Sequence, residues 1–397
     1  MIFFLATVFG NENMAARPCT TVGQWGEIPV SGRLENPTAK WRRWVQRGVG
    51  LLIGLVVALI VGEVVVRAFD LPPRPLPPLA AGYYELSPNR LLKYRFRPGM
   101  TPEDVADPGD HRGFRINSAG FRDVEHLLAK PHGCYRIVVL GDSITAGVGI
   151  EDLDAVFTRR LEGLLNTDGQ AVSFEVINLG VGGYHTLQEA ETLLVSGLRY
   201  QPDHVVVAFC VNDISWDADG QVLEELRGQL PPGQQSVLLT GWRSSSWTSG
   251  LLSQSRLCFF AYHRASSLEP FLELEWRRES RSGYVGTPLR QGLQRLESMA
   301  EAGGFQCHLF LVPAFDRHFQ AYAHTELHSR VLEQASTCRS VTVVDLLDGF
   351  DAQEVEAVDL SHDGLHPNAK GHEILASLVH RHLKPVVSDG GRGDESQ

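Results

Sequence analysis

Cysteine is scarce, six in 397 residues, and no C-x-x-C pair occurs, so a disulfide scaffold, a zinc ribbon and a dithiol redox centre are all excluded as organising features. The phosphate-cradling pattern G-x-x-x-x-G-K-[ST] is absent, and with it a P-loop nucleotide site. Positive charge is in deficit. Lys and Arg number 36 against 47 Asp and Glu, a formal net charge of -11, which offers no overall field to draw a polyphosphate backbone; nucleic acid is not an expected partner. No internal repeat of fixed period breaks the chain into modules.

What the chain does carry first is a long apolar run. Residues 48–62, GVGLLIGLVVALIVG, hold no charge. At 1.5 Å per residue they reach only about 22 Å of the roughly 30 Å hydrocarbon core, so the span is read as 45–69. Glu63 and Arg67 then form an i, i+4 pair in the last turns, where the guanidinium can snorkel to the headgroups. Lys40, Arg42, Arg43 and Arg47 precede the run with Trp41 and Trp44 as interfacial anchors, while Asp70 and prolines follow it. The positive-inside rule puts the N-terminus in the cytoplasm and everything after residue 70 across the membrane, in the periplasm or outside the cell. No small-x-small cleavage site follows the run, so an uncleaved anchor is expected.

Residues 1–44 read as a disordered cytoplasmic tail. Five prolines between Pro72 and Pro78 make a stiff spacer, the start of a linker and lead-in over 70–130. A regular alternation of apolar strands with amphipathic helices follows over 131–385, and 386–397 reads as a disordered tail. Strands are expected at 135–140, 174–178, 204–209, 307–312 and 341–346, with helices at 155–165, 186–198, 289–302, 322–335 and 369–383. That alternation means a mainly parallel five-stranded sheet covered on both faces, an α/β three-layer sandwich, with its ligand site at the carboxyl ends of the strands. A polar insertion at 214–283 carries Trp216, Trp242, Trp247 and Trp276, rings that suit either sugar stacking or a satellite core.

Four strand-end segments carry chemistry. The first strand runs into Gly141-Asp142-Ser143, a turn that exposes a serine hydroxyl at the start of a helix; taken alone, the tripeptide reads first as a plain structural turn. The second ends in Asn178-Leu179-Gly180-Val181-Gly182-Gly183, whose unobstructed N–H groups suit an oxyanion or an ordinary βα turn. The third ends in Cys210-Val211-Asn212-Asp213, where the Asn212 amide is either a donor at the sheet edge or a helix cap. Before the closing helix stands Asp363-Gly364-Leu365-His366-Pro367-Asn368. Asp363 can fix the tautomer of His366 while the other ring nitrogen takes a proton. A metal cluster of Asp359, His362, His366 and His372 can also be drawn, though it leaves the serine, glycines and asparagine unexplained.

In this order, the four segments resemble the SGNH (GDSL-type) hydrolase family, over about residues 115–383. The resemblance implies a flavodoxin-like αβα sandwich, with Ser143 as nucleophile, His366 as base and Asp363 as its partner. It implies an oxyanion hole from the Ser143 and Gly183 N–H groups and the Asn212 amide, and it calls for no cofactor and no metal. Gly183 is chosen over Gly180 because the family's glycine stands five residues after the asparagine that ends the second strand. The chain departs from the family at Cys210, where many members have glycine. The lead-in R-I-N-S-A-G-F-R-D at 115–123 resembles that of membrane-anchored bacterial members. The implied activity is a serine esterase acting on O-acetyl or other short acyl groups of an envelope glycan or lipid. An O-acyltransferase on the same residues and a non-catalytic envelope-binding protein are the alternatives. Five cysteines fall beyond the anchor, and Cys307 with Cys338 is the best candidate for a disulfide.

Overall fold

The structure, a computed structural model, describes residues 37–68, 79, 81–105, 111–167, 172–211, 213, 222, 226, 255, 257, 286–315, 318–322 and 324–390. Asn212, the spacer at 70–78, most of the insertion at 214–283 and the first 36 residues lie outside them. The chain divides into two compact units, Met1–Ala58 and Leu59–Gln397, the division falling within the first helix.

That helix, α1 (Pro37–Ala68), contains one stretch long and apolar enough to cross a membrane, the 25 residues Trp44–Ala68. Most of its leucines and valines are exposed, Leu51 at 76% and Leu52 at 62%, while Val66 near its end is buried. The Arg67 Nε donates to Glu63 Oε1 at 2.7 Å, which pairs both charges near the end of the run.

Two short strands, β1 (Tyr84–Leu86) and β2 (Tyr94–Phe96), form an antiparallel hairpin in the lead-in. The main sheet follows: β3 (Cys134–Gly141), β4 (Ser173–Asn178), β5 (His204–Phe209), β6 (Gln306–Leu311) and β7 (Val341–Asp345). All are parallel, in the order β4-β3-β5-β6-β7. The crossovers use α3 (Phe157–Thr167), α4 (Thr186–Val195), α5 (Thr287–Gly303) and α6 (Thr325–Ala335); α7 (Leu347–Asp351) is a short turn after β7, and α8 (Ala369–Gly390) closes the fold.

Strand alternation divides the core in two. Val138, Leu140, Val205 and Val207 face one layer with Leu193, Leu293 and Leu296 of α4 and α5. Ile137, Val139, Val206 and Ala208 face the other with Leu161 of α3 and Leu375 and Val379 of α8. Being buried on both faces makes these strands continuous Val and Ile runs rather than half-polar ones.

Every expected strand and helix is present, most ends falling within two residues of expectation, and three boundaries differ by more; the first is α4, which stops at Val195 rather than 198. The closing helix runs to Gly390 through Pro385, so residues 386–390 are helical rather than tail; proline removes one N–H and bends a helix but need not end it. Helix α6 begins at Thr325, not 322, because the backbone at 319–321 takes a tighter turn first. The hairpin was not expected, since three-residue strands carry too little pattern to read. The anticipated disulfide is also corrected: Cys307 and Cys338 are both free thiols. Burial, with Cys338 beside it, pushes Cys307 up to about 12, so the thiolate that disulfide exchange needs is suppressed.

Candidate active site

The chain enters the sheet at β3, passes to β4 on one side, then crosses to β5 on the other. This reversal opens a crevice at the carboxyl end of β3. The segment placed there is Gly141-Asp142-Ser143, with Ser143 opening the one-turn helix α2 (Ser143–Ala146). A Cβ at position 141 would stand 2.0 Å from Thr145 Oγ1, so only glycine permits the strand to turn this sharply into the helix. Asp142 caps the turn, its Oδ1 accepting the Ile144 N–H at 2.9 Å.

The second half of the site is a loop stitched to itself. Asp363 Oδ1 accepts the N–H groups of Leu365 (3.0 Å) and His366 (2.8 Å). Ser361 Oγ accepts Gly364 N–H at 2.9 Å, and Phe315 N–H, beyond the end of β6, donates to Gly364 O at 2.7 Å. These bonds hold the loop against the sheet edge.

The two halves meet. His366 Nδ1 lies 2.7 Å from Asp363 Oδ2, and His366 Nε2 lies 2.9 Å from Ser143 Oγ across 223 residues of sequence. With the carboxylate fixing Nδ1–H, Nε2 is left as the acceptor for the serine proton. Burial alone would lower His366; Asp363 against the ring, with Asp142 nearby, overrides it and holds the imidazole above its ordinary value. Burial would raise Asp363, but His366 and the two loop N–H bonds outweigh it and bring the carboxyl to about 2.

Gly183 sits in the β4–α4 loop at φ 76°, partly exposed beside a buried Gly182. A Cβ on Gly182 would be 3.8 Å from Ser143 Cβ, so this loop runs alongside the serine. The lead-in hairpin props it: Tyr94 Oη donates to Gly182 O at 2.8 Å, and Tyr184 Oη donates to Tyr94 O. Asn178, at the end of β4, accepts Gly180 N–H on Oδ1 (2.9 Å) and donates through Nδ2 to Thr145 O (2.7 Å), tying the glycine loop to the serine's helix. Asn212, the remaining expected donor, lies outside the described residues.

Beneath the serine is a buried acidic cluster that sequence reasoning did not anticipate. Cys210 donates its thiol to Asp142 Oδ2 at 3.2 Å, and its N–H to Asp213 Oδ2 at 2.7 Å. The departure from glycine therefore points toward the serine's neighbour. Ser143 Oγ also lies 3.1 Å from Asp142 Oδ2, so its single proton has two acceptors within reach. Burial, reinforced by Asp142, raises Glu189 well above the carboxylate range; burial, Glu189 and Asp142 raise Asp213 likewise. Among the described residues, Asp142, Cys210 and Asp213 are the set whose ligand atoms, within 4.8 Å of one another, could hold a metal ion. The histidine cluster drawn from the sequence does not assemble: His366 is engaged on both nitrogens, and His372 Nδ1 accepts Phe157 N–H at 3.2 Å.

The GDSL-like lipase/acylhydrolase family matches residues 139–374, more than half of the chain. None of the curated proteins matches. Solved structures similar to this one include a two-domain esterase active on acetylated mannans (17% identity, TM-score 0.37, 64% of this chain and 50% of that one). An acetylxylan esterase from Geobacillus stearothermophilus (15%, 0.38, 63% and 94%) and a lipase/acylhydrolase from Enterococcus faecalis (20%, 0.37, 64% and 96%) are also similar. The chain spans about half the length of the mannan-active esterase. With the family's segments at the ends of a five-stranded parallel sheet, this chain belongs to the GDSL-like lipase/acylhydrolase family, a family of carboxylic ester hydrolases.

Proposed function

We propose that the protein is a membrane-anchored serine esterase that removes O-acetyl or other short acyl groups from an envelope glycan or lipid. The observation that carries this reading is the continuous hydrogen-bonded line from Asp363 through His366 to Ser143. In the proposed reaction Ser143 Oγ attacks the ester carbonyl as its proton passes to His366 Nε2. The new C–O bond sends the carbonyl electron pair onto oxygen, and the oxyanion is received by the N–H groups of Ser143 and Gly183 and by the Asn212 amide. Collapse breaks the bond to the alcohol, which takes the proton from His366. Water then repeats the sequence on the acyl-serine and releases the acid. Asp363 keeps its charge throughout and stabilises the imidazolium.

The location rests on the anchor. The Trp44–Ala68 stretch is long enough to span a bilayer, and Arg42, Arg43 and Arg47 sit at its N-terminal end, which favours a cytoplasmic N-terminus and a hydrolase domain on the far side. The substrate class rests on that location, and on the tryptophans of the insertion as surfaces for sugar rings. The test is hydrolysis of p-nitrophenyl esters of increasing acyl length by the detergent-solubilised full chain. Acetyl and propionyl esters should give the highest kcat/KM. A maximum at eight carbons or more would overturn the short-acyl reading, and no hydrolysis of any ester would overturn the esterase reading.

A further inference from the structure

The lead-in motif at 115–123 ends in Phe121-Arg122-Asp123, and both charged residues are buried, Arg122 at 1% exposure. No carboxylate pairs with the Arg122 guanidinium among the described residues. Its partners are backbone carbonyls: Nη1 donates to Ala146 O (3.2 Å) and Gly147 O, and Nη2 donates to Ile150 O and Glu151 O (3.2 Å). The Phe114 ring packs on its face at 4.5 Å. Burial lowers the group to about 10, which leaves it charged at neutral pH. A buried charge is costly unless hydrogen-bonded, so this one is spent on a particular segment of backbone.

That segment carries the serine. Helix α2 is a single turn, too short to be held by its own hydrogen bonds, and its last carbonyls need outside donors. Asp142 fixes its first turn, and the Arg122 fork holds Ala146, Gly147 and the chain beyond to Glu151. Gly147 leaves room for the fork: it caps the helix at φ 71°, and a Cβ there would lie 2.9 Å from Arg122 Nη1. The neighbouring Asp123 Oδ2 accepts Asn178 N–H at 2.7 Å, and Asn178 Nδ2 donates back to Thr145 O at 2.7 Å. Residues 122 and 123 therefore close a hydrogen-bonded ring through the serine's helix and the end of β4, where the glycine loop begins.

We infer that Arg122 is a positioning residue for Ser143: its guanidinium sets where the one-turn helix stands relative to His366 and the glycine loop. This inference rests on the serine esterase reading. A misplacement of about 1 Å at a reacting atom costs on the order of 10²-fold in rate, so losing the fork should appear in turnover rather than in substrate binding.

The test uses the full chain in detergent and two variants. Arg122→Lys keeps the charge but replaces a four-bond fork with one ammonium; Arg122→Met removes the charge. For each, kcat and KM on p-nitrophenyl acetate and the second-order rate of labelling by a fluorophosphonate are measured per folded molecule, the folded fraction taken from a thermal melt. Arg122→Met should lose about 30- to 100-fold in kcat and in labelling rate, and Arg122→Lys about tenfold, with KM within about twofold of wild type. Lower melting temperatures with wild-type kcat and labelling rate per folded molecule would overturn the inference and leave Arg122 a structural residue. If Arg122→Met does not fold, Arg122→Lys decides alone, and labelling at the wild-type rate overturns the proposal. Wild-type protein that takes no label on Ser143 would instead bring down the esterase reading, and the inference with it.

Discussion

Two histidines in this fold sit in nearly the same three-part arrangement. His366 bonds Asp363 through Nδ1 at 2.7 Å and Ser143 Oγ through Nε2 at 2.9 Å. His328 bonds Asp345 through Nδ1 at 2.8 Å and Tyr322 Oη through Nε2 at 3.0 Å. Both aspartates stand at the carboxyl edge of the sheet. The difference is in the hydroxyl. Tyr322 Oη also accepts the Ala314 N–H at 3.0 Å, so its proton is committed to His328 and its ring is packed with Val211 and Ala314. Ser143 is a primary alcohol on a tight turn, partly exposed, beside the glycine loop at 180–183. The His328 side chain is 3% exposed and the His366 side chain 18%. A carboxylate, an imidazole and a hydroxyl in line do not by themselves make a reactive site; the proposed esterase chemistry also needs reach to solvent and a place for the oxyanion, which we assign to the Ser143 relay.

Substitutions can break or sharpen this contrast. Ser143→Ala should produce the largest loss, on the order of 10⁴ to 10⁶ in kcat on p-nitrophenyl acetate, measured by initial rates with the folded fraction checked by a thermal melt. Asp363→Asn comes next, at about 10³ to 10⁴, because it leaves the imidazole in the wrong tautomer. The pH profile tests the same pair. His366 must be neutral to accept a proton and is held above its ordinary value of about 6.5, so the acid limb of kcat/KM should lie above that point. Without Asp363, burial dominates and the limb should move to lower pH. The accompanying stability effects have opposite signs. The contribution of His366 is full below its unfolded pKa and is lost as pH rises through the folded one; that of Asp363 is full above about 4 and is lost as pH falls through about 2.

A smaller effect separates oxyanion donor from helix cap. Asn212→Ala should cost roughly 10² to 10³ in kcat with KM little changed, since its amide bond strengthens only as charge develops. A lower melting temperature with kcat intact would make it a cap. Least of all should Tyr322→Phe affect turnover, which should stay within about twofold. It strips partners from the Ala314 N–H and from His328 Nε2, so about 1 to 3 kcal/mol of stability should be lost in a denaturant titration.

The contrast also explains what could be read from the chain. Asp363 and His366 are three residues apart on one loop, and Gly-Asp-Ser sits directly after an apolar strand, so both halves of the site are local patterns. Their meeting follows once the sheet is known to be parallel, because every strand then delivers its end to one edge. His328 and Asp345 are 17 residues apart and Tyr322 precedes a helix start, so no local spacing marks that relay. Arg122 shows the same limit: four backbone carbonyls contributed by a turn leave no signature in side-chain types. Cys210 was legible as a departure, but the direction of its thiol toward Asp142 needed coordinates. The hairpin at 84–96 escaped because its strands are three residues long, although Tyr84, Tyr94 and Phe96 form a dense run of rings that could have suggested a packed element.

The central claim is that, of these two relays, the one ending at Ser143 is reactive. Its most direct test is to label the full chain with a fluorophosphonate, digest it and locate the adduct by mass spectrometry. The account predicts a single adduct on Ser143, abolished in Ser143→Ala and retained in Tyr322→Phe. An adduct on Tyr322, or labelling that survives Ser143→Ala, would contradict it.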